Sequence, residues 1–197
     1  MKKKTVFLFD LDSTITTAEI LPMISQKIDK EAEMRDLTEK TMVGDLNFRE
    51  SFLSRVDLLK DIPVSEVAEM VSNISTSKML LNFLKENRDV CYIVTSNLDV
   101  WIEKLMKKIG MENNYYCSTA LVECDKIKKV SHILAKDDVF KNFEANRIVA
   151  VGDGSNDRNM IEKADIGIGY GGVREVSPVL LEVTDYAIYD ENKLYEF

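Results

Sequence analysis

The sequence predicts an open, doubly wound α/β fold with a parallel sheet core and a small helical cap inserted after the first strand. Short apolar, β-branched runs recur at Val6–Phe9, Cys91–Val94, Ile148–Val151, Ile166–Ile168 and Tyr186–Ile188, each closed by a polar or glycine-containing turn. Runs this brief fit strands buried on both faces of a parallel sheet. Helical spacing lies between them. Trp101, Leu105 and Ile109 repeat at i+4, with Gly110 where a C-terminal cap would fall, and Met79, Leu80, Phe83 and Leu84 form a similar stripe. From about Thr16 to Ser75 no strand pattern appears. Phe48, Phe52, Val56 and Leu59 make one amphipathic face there, and Val64, Val67 and Val71 make another after Pro63. The expected division is a core from residues 1–15 and 76–197, with 16–75 as the cap over the sheet's C-terminal edge, where open α/β folds bind ligands.

Composition narrows the partners. A formal charge of −8 on 197 residues argues against general nucleic-acid or anionic-membrane binding, which rewards basic patches. The Lys2-Lys3-Lys4 run reads as a solvated terminus. Cys91, Cys117 and Cys124 are odd in number and lack CxxC spacing, which suits free thiols in a reducing compartment. The run from Thr5 to Phe9 is too short for a signal core or a spanning helix, and Asp10 interrupts it. The expectation is a cytoplasmic protein, monomeric or homodimeric, acting on a small molecule.

Four elements carry chemistry. The first strand runs into Asp10-Leu11-Asp12-Ser13-Thr14, where carboxylates at i and i+2 point the same way and repel unless a cation or proton intervenes. Gly152-Asp153-Gly154-Ser155-Asn156-Asp157 follows the Ile148–Val151 run and suits an oxygen-seeking ion such as Mg²⁺. A Ca²⁺ loop is excluded by counting. Its sixth and twelfth positions need Gly and Glu, and these are Ile15 and Leu21 from Asp10, or Arg158 and Ala164 from Asp153. Thr95-Ser96-Asn97 offers hydroxyls and N–H groups at a strand–helix junction, either as a phosphate cradle or as a helix cap. Lys126, Lys128 and Lys129 cluster where a cation is needed to offset a phosphoryl group. The lone His132, in the helical pattern expected after Lys129, has no partner at ligand spacing and reads as structural.

In this order the elements resemble the haloacid dehalogenase superfamily of phosphatases, whose motifs are DxDx[TV], a Ser/Thr after a strand, a Lys, and GDxxxD. The cap is similar to that of the phosphoserine phosphatases, in Glu19, in Thr41-Met42-Val43-Gly44 with Phe48, and in Arg55-Val56-Asp57-Leu58-Leu59. The resemblance implies a Rossmann-like core and Mg²⁺ as cofactor, held by Asp10, Asp12 through its main-chain carbonyl, and Asp153, with Asp157 and Asn156 behind them. It implies that Asp10 attacks phosphorus to form an aspartyl-phosphate and that Asp12 serves as acid and then base. Ser96, the Asn97 N–H and a lysine would neutralise the phosphoryl oxygens. Register favours Lys129, with Lys128 as rival. Glu19 would take a substrate ammonium and Arg55 its carboxylate, with Met42 and Phe48 packed alongside. Where that family has Ser-Gly-Gly, this chain has Ser96-Asn97-Leu98, which crowds or reshapes the pocket. Its segment from Asn113 to Lys129 is also shorter than the family's β-hairpin region and has no glycine-rich turn.

The expected substrate is a small phosphorylated metabolite, phosphoserine or a similar phosphorylated amino acid. The alternatives are a phosphatase or phosphotransferase for another such metabolite, an Asp-phosphorylated receiver domain, and a silent binding module. Receivers place the phosphorylated Asp after a later strand and lack a helical insertion.

Overall fold

The computed structural model describes residues 5–42, 45–145 and 147–197, with the Met42 side chain outside that description. Seven strands form one sheet in the order β4-β3-β2-β1-β5-β6-β7. They are β1 (Thr5–Phe9), β2 (Cys91–Leu98), β3 (Tyr115–Glu123), β4 (Lys126–His132), β5 (Arg147–Gly152), β6 (Ile166–Tyr170) and β7 (Tyr186–Ile188). All neighbours are parallel except β3 and β4. The doubly wound parallel core is therefore as the sequence implied.

Strand burial explains the apolar runs. Val6 and Leu8 of β1, with Ile148 and Ala150 of β5, face one apolar cluster; Phe9, Val149 and Val151 face the other. Alternation of side chains, with both sides covered, makes every position apolar. The first face is covered by α7 (Arg158–Lys163) through Met160 and Ile161, and by α8 (Pro178–Leu181) through Leu180. On the other, α6 (Asp99–Ile109) buries Trp101, Ile102, Leu105, Met106 and Ile109, and α5 (Lys78–Glu86) buries Leu80 and Leu84. The short α9 (Glu191–Glu196) packs beside α5, with Tyr195 edge-on to Phe83. Gly110 ends α6 in the left-handed region at φ 78°, and its N–H and that of Met111 close the last turn.

Between β1 and α5 lie helices α1 (Ile20–Ser25), α2 (Glu31–Met42), α3 (Phe48–Leu59) and α4 (Val64–Ser72). The expected stripes are their buried faces: Phe52, Val56 and Leu59 on α3, and Val64, Val67 and Val71 on α4. These side chains share one apolar cluster with α6, so the insertion rests on the sheet's helical layer.

One expectation fails. Lys126–His132 is a strand, antiparallel to β3, and His132 is exposed on it opposite Thr119. The connecting turn has no glycine because Cys124 and Asp125 take φ of 50° and 60°. Asp125 holds that strained turn with contacts to α4. Its carboxylate accepts from the Ser65 N–H at 3.0 Å and hydroxyl at 2.5 Å, and its carbonyl from the Val64 N–H at 2.7 Å. A helical register after Lys129 cannot survive that pairing.

Leu105 is fully buried between α6 and α4. Replacing it by Ala is expected to cost about 2–5 kcal/mol in urea-unfolding experiments, since it removes buried methyl groups and leaves a cavity.

Candidate active site

β1 has neighbours on both sides, β2 and β5, and the chain leaves the sheet in opposite directions from it. Such a switch point opens a crevice at the strands' C-terminal ends. Asp10 follows β1 directly, and its N–H extends the ladder to the Val151 carbonyl at 2.9 Å. The chain then turns sharply through Ser13, at φ 55°, and returns Asp12 to the same edge. Asp12 Oδ1 accepts from the Ile20 N–H at 2.8 Å and Oδ2 from Asn97 Nδ2 at 2.5 Å.

Across the crevice, β5 delivers Asp153 and Asp157. Asp157 Oδ2 accepts from the N–H groups of Asp153 (3.2 Å) and Gly154 (3.0 Å). Gly152 is required for this: a Cβ there would lie 2.5 Å from the Asp157 carboxyl carbon. Oxygens of Asp10, Asp153 and Asp157 all lie within 4.8 Å of one another.

The counter-charge is Lys136, at the start of a turn from Lys136 to Asn142. Its ammonium is buried and donates to Asp10 Oδ1 and Asp157 Oδ1, each at 2.5 Å. Lys129 and Lys128 are exposed on β4 and line a separate groove beside α3, so both expectations for the phosphate lysine are corrected. The error came from reading helical spacing through a strand. Once β4 is a strand, Lys126, Lys128 and Lys129 all lie exposed on it, and the next lysine in the chain is Lys136.

Electrostatics follow from burial. Desolvation and the neighbouring Asp157 carboxylate push Asp10 up to about 7, against the pull of Lys136. Burial also raises Asp12 and Asp153, the latter strongly, with Asp10 and Asp157 adding to it. Burial would lower Lys136, but Asp10 and Asp157 reverse this and hold it above the ordinary lysine value.

A cavity of about 80 Å³, open on one side, lies above this floor. Asp10, Asp12, Glu19, Phe48, Arg55, Ser96, Asn97 and Asn156, all singled out in the sequence, line it. Phe48 stacks on Phe52, with ring centroids 5.8 Å apart. Ser96 Oγ and Arg55 Nε are buried without a hydrogen-bond partner among the described residues. Met42 falls outside the described side chains. Sequence reasoning missed Arg174, in the loop after β6, which donates to both Asp153 and Glu19. Its signal was the Gly171-Gly172 turn at the same edge of the sheet as the acidic motifs.

A divalent ion fits the acidic floor. Asp153 Oδ1 is buried without a partner, and three carboxylates around one point suit a hard cation. Both Asp157 oxygens already accept hydrogen bonds, and the Asp12 side chain points away from the trio to Ile20 and Asn97.

Such a floor at the switch point defines a phosphoryl-transfer enzyme, and comparison with known proteins agrees. Residues 7–162 match the haloacid dehalogenase-like hydrolase model, and the chain belongs to that family. Within it the chain is a phosphoserine phosphatase-like phosphomonoester hydrolase. It is 30% identical over 200 residues to the phosphoserine phosphatase of Methanocaldococcus jannaschii, covering 95% of this chain and 93% of that one. A phospho-aspartyl intermediate analogue of phosphoserine phosphatase superposes with a TM-score of 0.83 at 28% identity, covering 99% of each chain. A substrate-bound phosphoserine phosphatase complex gives 0.83 at 26%, covering 100% of this chain and 99% of that one. No helix among the described residues is long and apolar enough to cross a membrane.

Two outcomes are expected. Lys136→Met should lower turnover by at least about 100-fold while Lys129→Ala leaves it within about twofold, measured as phosphate release. Asp10, with a folded value near 7 against an ordinary 3.8, favours folding when protonated. Its contribution is fully present below 3.8 and lost as pH rises through about 7. In chelator, thermal melts should therefore lose stability across that window, and Asp10→Asn should flatten the loss.

Proposed function

We propose that the protein hydrolyses a small phosphomonoester through an aspartyl-phosphate on Asp10, and that the substrate is phosphoserine or a similar phosphorylated amino acid. The observation that carries the reading is Asp10 on the floor of a cavity, against a buried lysine and a second carboxylate, Asp12, held by hydrogen bonds at both oxygens.

Asp10 attacks phosphorus as the ester bond breaks, and Asp12 gives its proton to the leaving alkoxide. The alcohol leaves, Asp12 takes a proton from water, and that water cleaves the acyl phosphate to restore Asp10. Lys136 holds Asp10 in place and offsets charge on the phosphoryl oxygens; the unpartnered Ser96 hydroxyl donates to them, joined by the Asn97 N–H once it leaves Thr95 Oγ1. Mg²⁺ is the cofactor of this reading, held by Asp10, Asp153 and the Asp12 carbonyl, with Asp157 and Asn156 supporting them. When bound it neutralises charge on the transferring group.

Arg55 and Glu19 set the choice of substrate. A half-buried guanidinium with an unsatisfied Nε suits a carboxylate, and Glu19 suits an ammonium once Arg174 yields it. Phe48 lines the same cavity beside them. Residues 16–75 act as a cap in this reading, since Phe48, Phe52 and Arg55 of that segment line the cavity over Asp10.

Asp10→Asn should abolish Mg²⁺-dependent phosphate release. A screen of small phosphomonoesters should rank O-phospho-L-serine among the best substrates, and Arg55→Ala should raise its KM about 10-fold or more, while leaving the KM for a phosphate ester without a carboxylate nearly unchanged. A wild-type preference for uncharged phosphate esters would sink the amino-acid assignment.

A further inference from the structure

Asn97 is buried at the C-terminal end of β2, where the family pattern has glycine. Its Nδ2 has two hydrogens and the structure uses both. One goes to Thr95 Oγ1 at 3.0 Å and the other to Asp12 Oδ2 at 2.5 Å. The Asn97 main-chain N–H also donates to Thr95 Oγ1, at 3.2 Å, so the amide is pinned to its own strand. The other Asp12 oxygen takes the N–H of Ile20, the first residue of α1. Asp12 is thus held from two sides: by the sheet through Asn97, and by the helical insertion through Ile20.

These holders differ in kind. Ile20 belongs to the segment that must move if the cavity is to open, whereas Asn97 is part of a strand buried over most of its length. Glycine at this position supplies no side-chain donor, and its Asp12 would depend on the insertion for its orientation. We propose that Asn97 is a positioning residue, which keeps the Asp12 carboxylate aimed at the reacting oxygen whatever the state of the cap. The inference rests on the reading of Asp12 as general acid and base.

The test compares kcat/KM for O-phospho-L-serine, whose alkoxide needs a proton to leave, with that for p-nitrophenyl phosphate, whose phenolate does not. Wild type, Asn97→Leu, Asp12→Ala and the double variant are measured with Mg²⁺. Asn97→Leu, with the same side-chain branching and heavy-atom count but no donors, should lose about 10-fold or more on phosphoserine and under about threefold on the aryl ester. Added to Asp12→Ala it should change neither, because its effect runs through Asp12. Asn97→Gly, which leaves no side chain to misfit, should behave alike if the leucine variant fails to fold. If Asp12→Ala discriminates between the esters but the Asn97 variants slow both equally, or still act without Asp12, the positioning role is overturned. If Asp12→Ala itself slows both esters alike, the acid role of Asp12 fails and takes this inference with it.

Discussion

Asp10, Asp153 and Asp157 are buried with oxygens inside a common 4.8 Å limit, and one ammonium, Lys136, sits between two of them. Like charges this close in a dry site cannot all stay ionised without compensation. The neighbourhood is arranged around that problem. Gly152 leaves room for Asp157 to fold back, two main-chain N–H groups face its outer oxygen, and Arg174 reaches across to Asp153. Even so, burial leaves Asp10 and Asp153 raised, and Asp153 keeps an unsatisfied oxygen. A floor so short of positive charge attracts a cation and a polarised phosphoryl group, which is why the strain is chemically useful.

The sheet makes this arrangement possible. Because β1 is flanked by β2 and β5, three strand ends open onto one crevice, each delivering its polar residues from a largely buried strand. Asp10, Asn97 and Asp153 differ widely in sequence position and are neighbours through pairing alone. The helical insertion roofs the crevice and reaches the floor through the Ile20 N–H on Asp12. The Asp12 carboxylate is therefore held from two sides, by the insertion through Ile20 and by the sheet through Asn97.

Arg174 adds a second link. By bridging Asp153 on the floor to Glu19 beneath the roof, it ties up one group suited to a metal and one suited to an ammonium. Its guanidinium is pulled down by burial and held up by Asp10 and Asp12, so its charge belongs to the site as a whole. A ligand that takes the Glu19 carboxylate must loosen the arginine, which also holds Asp153 Oδ2, so the two halves of the pocket are linked.

The sequence by itself determined the sheet and the acidic edge. Runs of apolar residues buried on two faces read as parallel strands, and the DxDST and GDGSND segments had to sit at strand ends because their polar residues cannot enter such a core. The helical faces of Phe52, Val56 and Leu59, and of Val64, Val67 and Val71, were equally legible, since amphipathic period survives in any tertiary setting. What only the tertiary structure decided was which distant charges meet. The hairpin turn at Cys124 and Asp125 carries no glycine, and its stability comes from α4, so local sequence could not announce it. Missing that turn shifted the lysine from Lys136 to Lys129. Arg174 was marked only by the Gly171-Gly172 turn before it; its partners Asp153 and Glu19 are set by proximity in the folded chain, of which a local pattern carries no record.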